Sequence, residues 1–417
     1  MTPSAIYFCF PHRNVGGVSL LFLRLAHSIS KRYGQKCILI DYADGYMATR
    51  ADRNLVDVVD YDDNKKTTIS GDAIVIFQSM TPWSIFPGLS ISDDVRILFW
   101  NCHPLNLAAT LPGVRNFGMA SSGMIWKISQ LVVRSFRKRL GEFAKHLIAN
   151  DGLVFMDHQN VISTEINTGI NVESPVFIPI PAMTCERRRF GIRNFDEASV
   201  IHLACVGRIV DFKYFILKRL LDDISNLADI SERLFKVTIV GDGSHLENLR
   251  GHSSRITNYE ISFVTHLEES ELNEFLATDV DILFGMGTSA LEGAKLGVPT
   301  VLLDLSYKNV PDTYEYSWLY QRDGSTLGKT LRDFSSEGSS YRSLSLLIAE
   351  LLQEQQVLSQ KTYCYFLENH SMEIVTDKLL SALGHSTCFW GDLRLTGLVK
   401  PSIIYKLFYT LRRNLLT

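Results

Sequence analysis

A two-domain α/β fold is predicted by three observations: the chain's length, two successive series of alternating strand-like and helical segments, and a glycine-marked strand-to-helix junction at residues 285–299. The 417 residues are 46% hydrophobic and 21% charged, which excludes a disordered chain and supplies apolar side chains for two cores. A net charge of -3 gives no overall attraction for nucleic acid. Phosphate or lipid contacts must therefore come from local clusters of cations.

In the first series, residues 5–10 read as a strand, 18–32 carry apolar residues at helical spacing, and 36–41 read as a second strand. Residues 73–77, 95–100 and 153–156 continue it as near-continuous apolar runs, the pattern of a parallel sheet covered on both faces. The second series has strands at 201–206, 235–240, 281–284 and 300–303. Between them the polar, aperiodic stretch around 185–191 marks the connection. The expected divisions are a first domain at 1–184, a second at 198–356, a helical segment at 357–383 and a basic-apolar tail at 384–417. Residues 341–383 read as helical, with Leu344, Leu346, Leu347, Leu351 and Leu352 as apolar contacts.

Seven widely spaced cysteines, mostly in apolar surroundings, favour free thiols in a reducing cytoplasm, and none of the spacings suits zinc. The start lacks the features of a secretion signal, and no apolar run reaches membrane-spanning length. A soluble, cytoplasmic body is expected.

Three glycine turns are candidates for ligand approach. Gly16 and Gly17 join the first strand to the first helix, Gly241 and Gly243 follow the strand ending at Val240, and Gly287, Thr288 and Ser289 open the helix after residue 284. Each reads either as a plain tight turn or as backbone shaped to meet an anionic group with helix-opening amides. Glu292 has two readings as well. With Ser289 it has the S-x-x-E spacing of a capping box, and its side of the helix also lets it accept hydrogen bonds from sugar hydroxyls.

Taken in order, Gly16-Gly17, Val206-Gly207-Arg208 through Lys213, Gly241-Asp242-Gly243 and the segment from Gly287 to Pro299 resemble the nucleotide-sugar-dependent glycosyltransferases of the GT-B fold. The likeness is to the large retaining group of polysaccharide and lipopolysaccharide enzymes, and it spans residues 5–380. It implies two facing Rossmann-like domains, the acceptor mainly in the first and the nucleotide sugar mainly in the second, with C-terminal helices at 357–383 bracing the first. It also implies that Arg208 and Lys213 hold the donor diphosphate and meet the negative charge that grows as the anomeric bond breaks. Glu292 matches the second glutamate of the family's pair, a ligand of the nucleotide ribose, whereas Phe284 stands where the first would be. Thr288 and Ser289 then supply hydrogen bonds in its place.

His103, just after the strand at 95–100, is the expected histidine contact to donor or acceptor, with local packing as its other reading, and His158 is a second strand-end histidine. The acidic triplets 60–62 and 279–281 lack the setting of a metal site, so no tightly bound metal or cofactor is expected. The donor, a nucleoside-diphosphate sugar, is a substrate.

Residues 124–147 have a basic amphipathic pattern, with Lys127, Arg134, Lys138 and Lys145 on one side and Ile125, Val132, Phe136, Leu140, Phe143 and Leu147 on the other. It fits either an ordinary packed helix or a surface for anionic lipids. Residues 393–417 carry Arg394, Lys400, Lys406, Arg412 and Arg413 with no acidic side chain, a candidate for peripheral attachment to the inner face of the plasma membrane. The expected partners are a nucleotide sugar, a glycan or lipid-linked glycan acceptor and an anionic membrane surface, with no nucleic acid. The expected function is sugar transfer in cell-surface polysaccharide biosynthesis, with nucleotide-sugar epimerisation and non-catalytic carbohydrate binding as alternatives.

Overall fold

The computed structural model describes residues 3–13, 16–78, 86, 88–102, 134–185, 195, 199–322, 326–331 and 341–399, of which 134–137 by backbone alone. Two compact units emerge, one from Met1–Ile180 with Val375–Thr417, the other from Pro181–Ile374.

The first unit runs β1 (Ala5–Cys9), α1 (Gly17–Tyr33), β2 (Cys37–Asp41), α2 (Tyr46–Arg50), β3 (Asp57–Asp60), β4 (Thr67–Ile69), β5 (Ala73–Gln78), β6 (Leu89–Ile91), β7 (Arg96–Asn101), α3 (Arg134–Ala149), β8 (Leu153–Phe155) and α4 (His158–Thr168). Its main sheet is parallel, in the order β3-β2-β1-β5-β7-β8. Its central strands are apolar on both faces because both are covered: Ile6, Phe8, Ile74, Val75 and Ile76 are fully buried. Helix α1 buries Leu21, Phe22, Leu25, Ala26 and Ile29, a three-and-four spacing that keeps one stripe on the sheet. It ends at Gly34, whose φ of 62° supplies the left-handed cap.

Helix α3 bears out part of the amphipathic pattern. Leu140, Phe143 and Leu147 are buried, and Phe143 meets Phe99 edge-on at 5.4 Å, while Lys138 and Lys145 are exposed. Burying a ring of this size contributes about 1.5–3 kcal/mol. Residues 124–133 lie outside the described residues.

The second unit contains β9 (Ile201–Val206), α5 (Asp211–Ile230), β10 (Phe235–Val240), α6 (Leu246–Ser253), β11 (Glu260–Val264), α7 (Glu269–Asp279), β12 (Ile282–Gly285), α8 (Thr288–Ala294), β13 (Thr300–Leu302) and α9 (Leu344–Asn369). Its sheet is parallel, in the order β11-β10-β9-β12-β13. The order reverses between β9 and β12, which defines the crevice where open parallel sheets receive ligands. Helices α10 (Met372–His385) and α11 (Trp390–Leu395) follow. Two Rossmann-like units with C-terminal helices make up the GT-B architecture.

Several elements depart from the sequence reading. Strands β3 and β11 at the sheet edges carry acidic residues and are at most half-buried, so they present no apolar run to find. The helical stretch at 341–383 is two helices, separated at His370 and Ser371, and α9 is kinked at Glu354, whose φ is -133°. Helix α8 ends at Ala294, well short of Pro299, because the chain turns through Gly297 at φ 74°.

Candidate functional site

In the second unit the C-terminal end of β9 passes into a turn at Gly207, φ 131°, a conformation that disfavours a side chain. A β-carbon there would lie 2.8 Å from Lys213 Nζ, 3.3 Å from Ser289 Oγ and 3.6 Å from Ser289 Cβ. Gly207 thus brings together two groups that the sequence separates, the first-turn lysine of α5 and the start of α8. Around them, Val206, Gly285, Met286 and Leu303 line a small crevice at the point where the strand order reverses.

Lys213 is half-buried and has no acidic partner among the described residues. Burial, and then the nearby Arg208 cation, push its ammonium down to about 8 from the ordinary 10.5. Arg208 itself is exposed. Two cations held near one another, one of them partly stripped of water, make a place that gains from a multivalent anion.

Gly241 and Gly243 support this turn through their backbone. A β-carbon on Gly241 would stand 2.2 Å from Gly207 O, and one on Gly243 would stand 2.3 Å from Ile209 O. The Gly207 amide donates to Val240 O at 2.9 Å, and the Ile209 amide to Asp242 O at 2.9 Å. Close approach of two backbone turns accounts for both glycines.

Helix α8 is capped by Gly287, φ 64°, whose amide donates to Leu327 O at 2.8 Å. Ser289 does not form the expected capping box with Glu292. Its hydroxyl donates to Met286 O at 2.8 Å and accepts from the Met286 amide at 3.3 Å, while Glu292 Oε2 lies 2.5 Å from Lys295 Nζ. Because Gly287 is the N-cap, Ser289 is already inside the helix, and the S-x-x-E spacing has no box to close. Thr288 is exposed, Ser289 and Glu292 are half-buried, and Phe284 is a buried core residue of β12.

In the first unit Gly16 is the N-cap of α1. Its amide donates to Ser19 Oγ at 3.1 Å, and that hydroxyl donates to Gly16 O at 3.0 Å. Among the described residues a β-carbon on Gly17 would meet nothing within 4 Å, so their packing does not demand glycine there. The β1–α1 connection is held by Asp41, which is fully buried at the end of β2. Its carboxylate accepts from the amides of His12 at 2.7 Å, Met47 at 2.8 Å, Tyr42 at 2.9 Å and Ala48 at 3.2 Å. Burial pushes this carboxyl up, against the opposing pull of those amides.

His103 lies outside the described residues. His158 is the exposed first residue of α4, beside the Asp157 cap, with its ring 6.0 Å from that of Phe177. Of the acidic triplets, Asp60 closes β3, and Asp281 is buried and accepts from the His202 amide at 2.8 Å. Among the described residues no group of three or more His, Cys, Asp or Glu is placed to hold a metal, and no helix is long and apolar enough to cross a membrane. Five cysteines are buried, Cys185 is half-buried and Cys364 is exposed. In the tail, Arg394 is neutralised by Asp93 at 2.6 Å, and residues 400–417 lie outside the described residues. Gly207 was read from sequence only as part of the Val206-Gly207-Arg208 motif, with no role of its own, and Lys295 was given none. Lys295 was legible only as the end of an E-x-x-K spacing.

No family model and no curated protein sequence matches the chain. Among solved structures it is similar to a glycosyltransferase from Rickettsia africae ESF-5, with a TM-score of 0.54 and 13% identity over 91% of this chain and 98% of that one. It is also similar to the N-terminal domain of a trehalose-6-phosphate phosphatase from Candida albicans, with a TM-score of 0.50 and 13% identity over 92% and 97% of the two chains. At such identities the likeness establishes a shared fold, GT-B.

Proposed function

We propose that the chain is a glycosyltransferase that moves a sugar from a nucleoside-diphosphate sugar to a hydroxyl of a glycan or lipid-linked glycan in cell-surface polysaccharide assembly, with retention at the anomeric carbon. The observation that carries the reading is the half-buried, acid-free Lys213 beside the Gly207 turn, where the strand order of the second sheet reverses. Lys213 and Arg208 meet the donor diphosphate. As the bond from the anomeric carbon to the diphosphate breaks, the leaving group takes the electron pair, and both cations oppose its growing charge. The acceptor oxygen bonds to the same carbon and passes its proton to an oxygen of the departing diphosphate. Glu292 accepts from the nucleotide ribose, the glycine turns and the Thr288–Ser289 segment shape the donor's seat, and His103 orients the reacting groups.

Nothing in this chemistry requires a resident cofactor, since the diphosphate charge is answered by side chains. The exposed Lys138 and Lys145, opposite the buried face of α3, favour an anionic membrane surface as the place where a cytoplasmic enzyme meets a lipid-linked acceptor.

The test is a matrix of nucleotide sugars and acceptors, including membrane extracts with lipid-linked glycans, read by intact product mass. A new glycosidic linkage with release of nucleoside diphosphate is expected. Conversion of the free nucleotide sugar without an acceptor would identify an epimerase instead, and binding without turnover a carbohydrate-binding protein.

A further inference from the structure

A buried ammonium stands behind Glu292. Lys295, at the C-cap of α8, is 2% exposed, and its Nζ lies 2.5 Å from Glu292 Oε2 and 3.6 Å from Glu269 Oε1. Glu269 is 62% exposed, so its longer contact is screened by water, whereas Glu292 is 28% exposed. A lysine this deep requires a counter-charge, and Glu292 is the nearer one.

That contact divides the labour between the two carboxylate oxygens. Oε2 is engaged by Lys295, while Oε1 has no hydrogen-bond or ion-pair partner among the described residues. Glu292 lies three residues beyond Ser289, hence on the same side of α8, and Ser289 is the residue that approaches Gly207. A carboxylate pinned by a buried cation loses less freedom when its second oxygen accepts a ligand hydroxyl.

We propose that Lys295 is a positioning residue for the donor: it anchors Glu292 through Oε2 so that Oε1 accepts from a ribose hydroxyl of the nucleoside diphosphate. This rests on the ribose reading of Glu292. A salt bridge that served stability alone would leave the choice between nucleotides unchanged.

The experiment is calorimetric titration of the full chain with UDP, GDP, ADP and CDP and with the 2′,3′-dideoxy form of each. Wild type is compared with Lys295→Met, Glu292→Gln and the double variant. Wild type should prefer the ribonucleotide it binds best over its dideoxy form by roughly 10- to 100-fold, the scale of a charge-assisted hydrogen bond. Lys295→Met should shrink that ratio to less than about threefold, at or below the weight of one neutral hydrogen bond, with dideoxy affinity unchanged. A wild-type ratio in Lys295→Met overturns the role of Lys295 and leaves that of Glu292 standing. Absence of discrimination in wild type overturns both. Should Lys295→Met fail to fold, the double variant, which removes both charges of the pair, is compared with Glu292→Gln. Equal affinities support action through Glu292, and a further loss in the double variant overturns it.

Discussion

Lys213 Nζ occupies the space into which a side chain on Gly207 would grow, 2.8 Å from the position of its β-carbon. The turn after β9 and the first turn of α5 are therefore fitted to each other, and Ser289 of α8 closes the group at 3.3 Å from the same point.

Gly207→Ala should test that fit. Holding a non-glycine residue at φ 131° costs about 1–3 kcal/mol, and the new methyl displaces the ammonium. The expected outcome is a folded protein of lowered melting temperature whose affinity for nucleoside diphosphate drops further than its stability explains. Calorimetric binding measured beside thermal unfolding separates the two effects.

Arg208→Ala and Lys213→Ala should each lower kcat/KM for the verified donor by about 2–4 kcal/mol, the usual weight of one transition-state electrostatic donor. Arg208 is exposed, so its loss should leave the melting temperature near wild type. Near-normal kcat/KM for both variants would remove the diphosphate assignment.

Lys213 also gives a pH dependence. Its folded value, about 8, lies below the unfolded 10.5, so between these the unfolded chain binds more protons and stability rises with pH. Lys213→Met should accordingly melt above wild type at pH 7, with the gap narrowing as pH climbs towards 10.5. Diphosphate favours the charged ammonium, so donor binding should weaken above about pH 8 and take up a proton there. Titration in two buffers of different ionisation enthalpy reads that proton directly.

Arg322 and Asp304 form a fully buried pair at 2.7 Å, and Asp304 also accepts from the Lys329 amide at 2.9 Å. The Leu305 amide donates to Lys329 O, and the Gly287 amide to Leu327 O, so this pair supports the segment at 326–331 that accepts from the N-cap of α8. Arg322→Met leaves Asp304 charged and buried, and should cost about 3–5 kcal/mol in denaturant unfolding. A cost below that of an exposed ion pair would mean that the carboxylate finds other compensation.

The strands at the centre of each sheet were legible because burial on both faces forces continuous apolar runs, as at Ile74, Val75 and Ile76. Edge strands β3 and β11 were not, since a half-buried strand tolerates the charges at Asp57, Asp60 and Glu260. Of the site, Arg208, Lys213, Glu292 and the glycines were picked out by their order along the chain, but what each glycine meets was not. Gly241 and Gly243 answer to the backbone at 207–209, and a β-carbon on Gly17 would meet none of the described residues.

By itself, the sequence determined the α/β class, the alternation of elements and the residue types available for an anion, because periodicity and side-chain chemistry are local properties. Tertiary structure alone decided which of them meet. Lys213, Gly207 and Ser289 converge because β9 and β12 are neighbours in the sheet, and Glu292 turns from a helix cap into the partner of Lys295 because Gly287 begins the helix earlier. A cation's worth depends on its burial and on the charges around it, and both are set by residues distant along the chain.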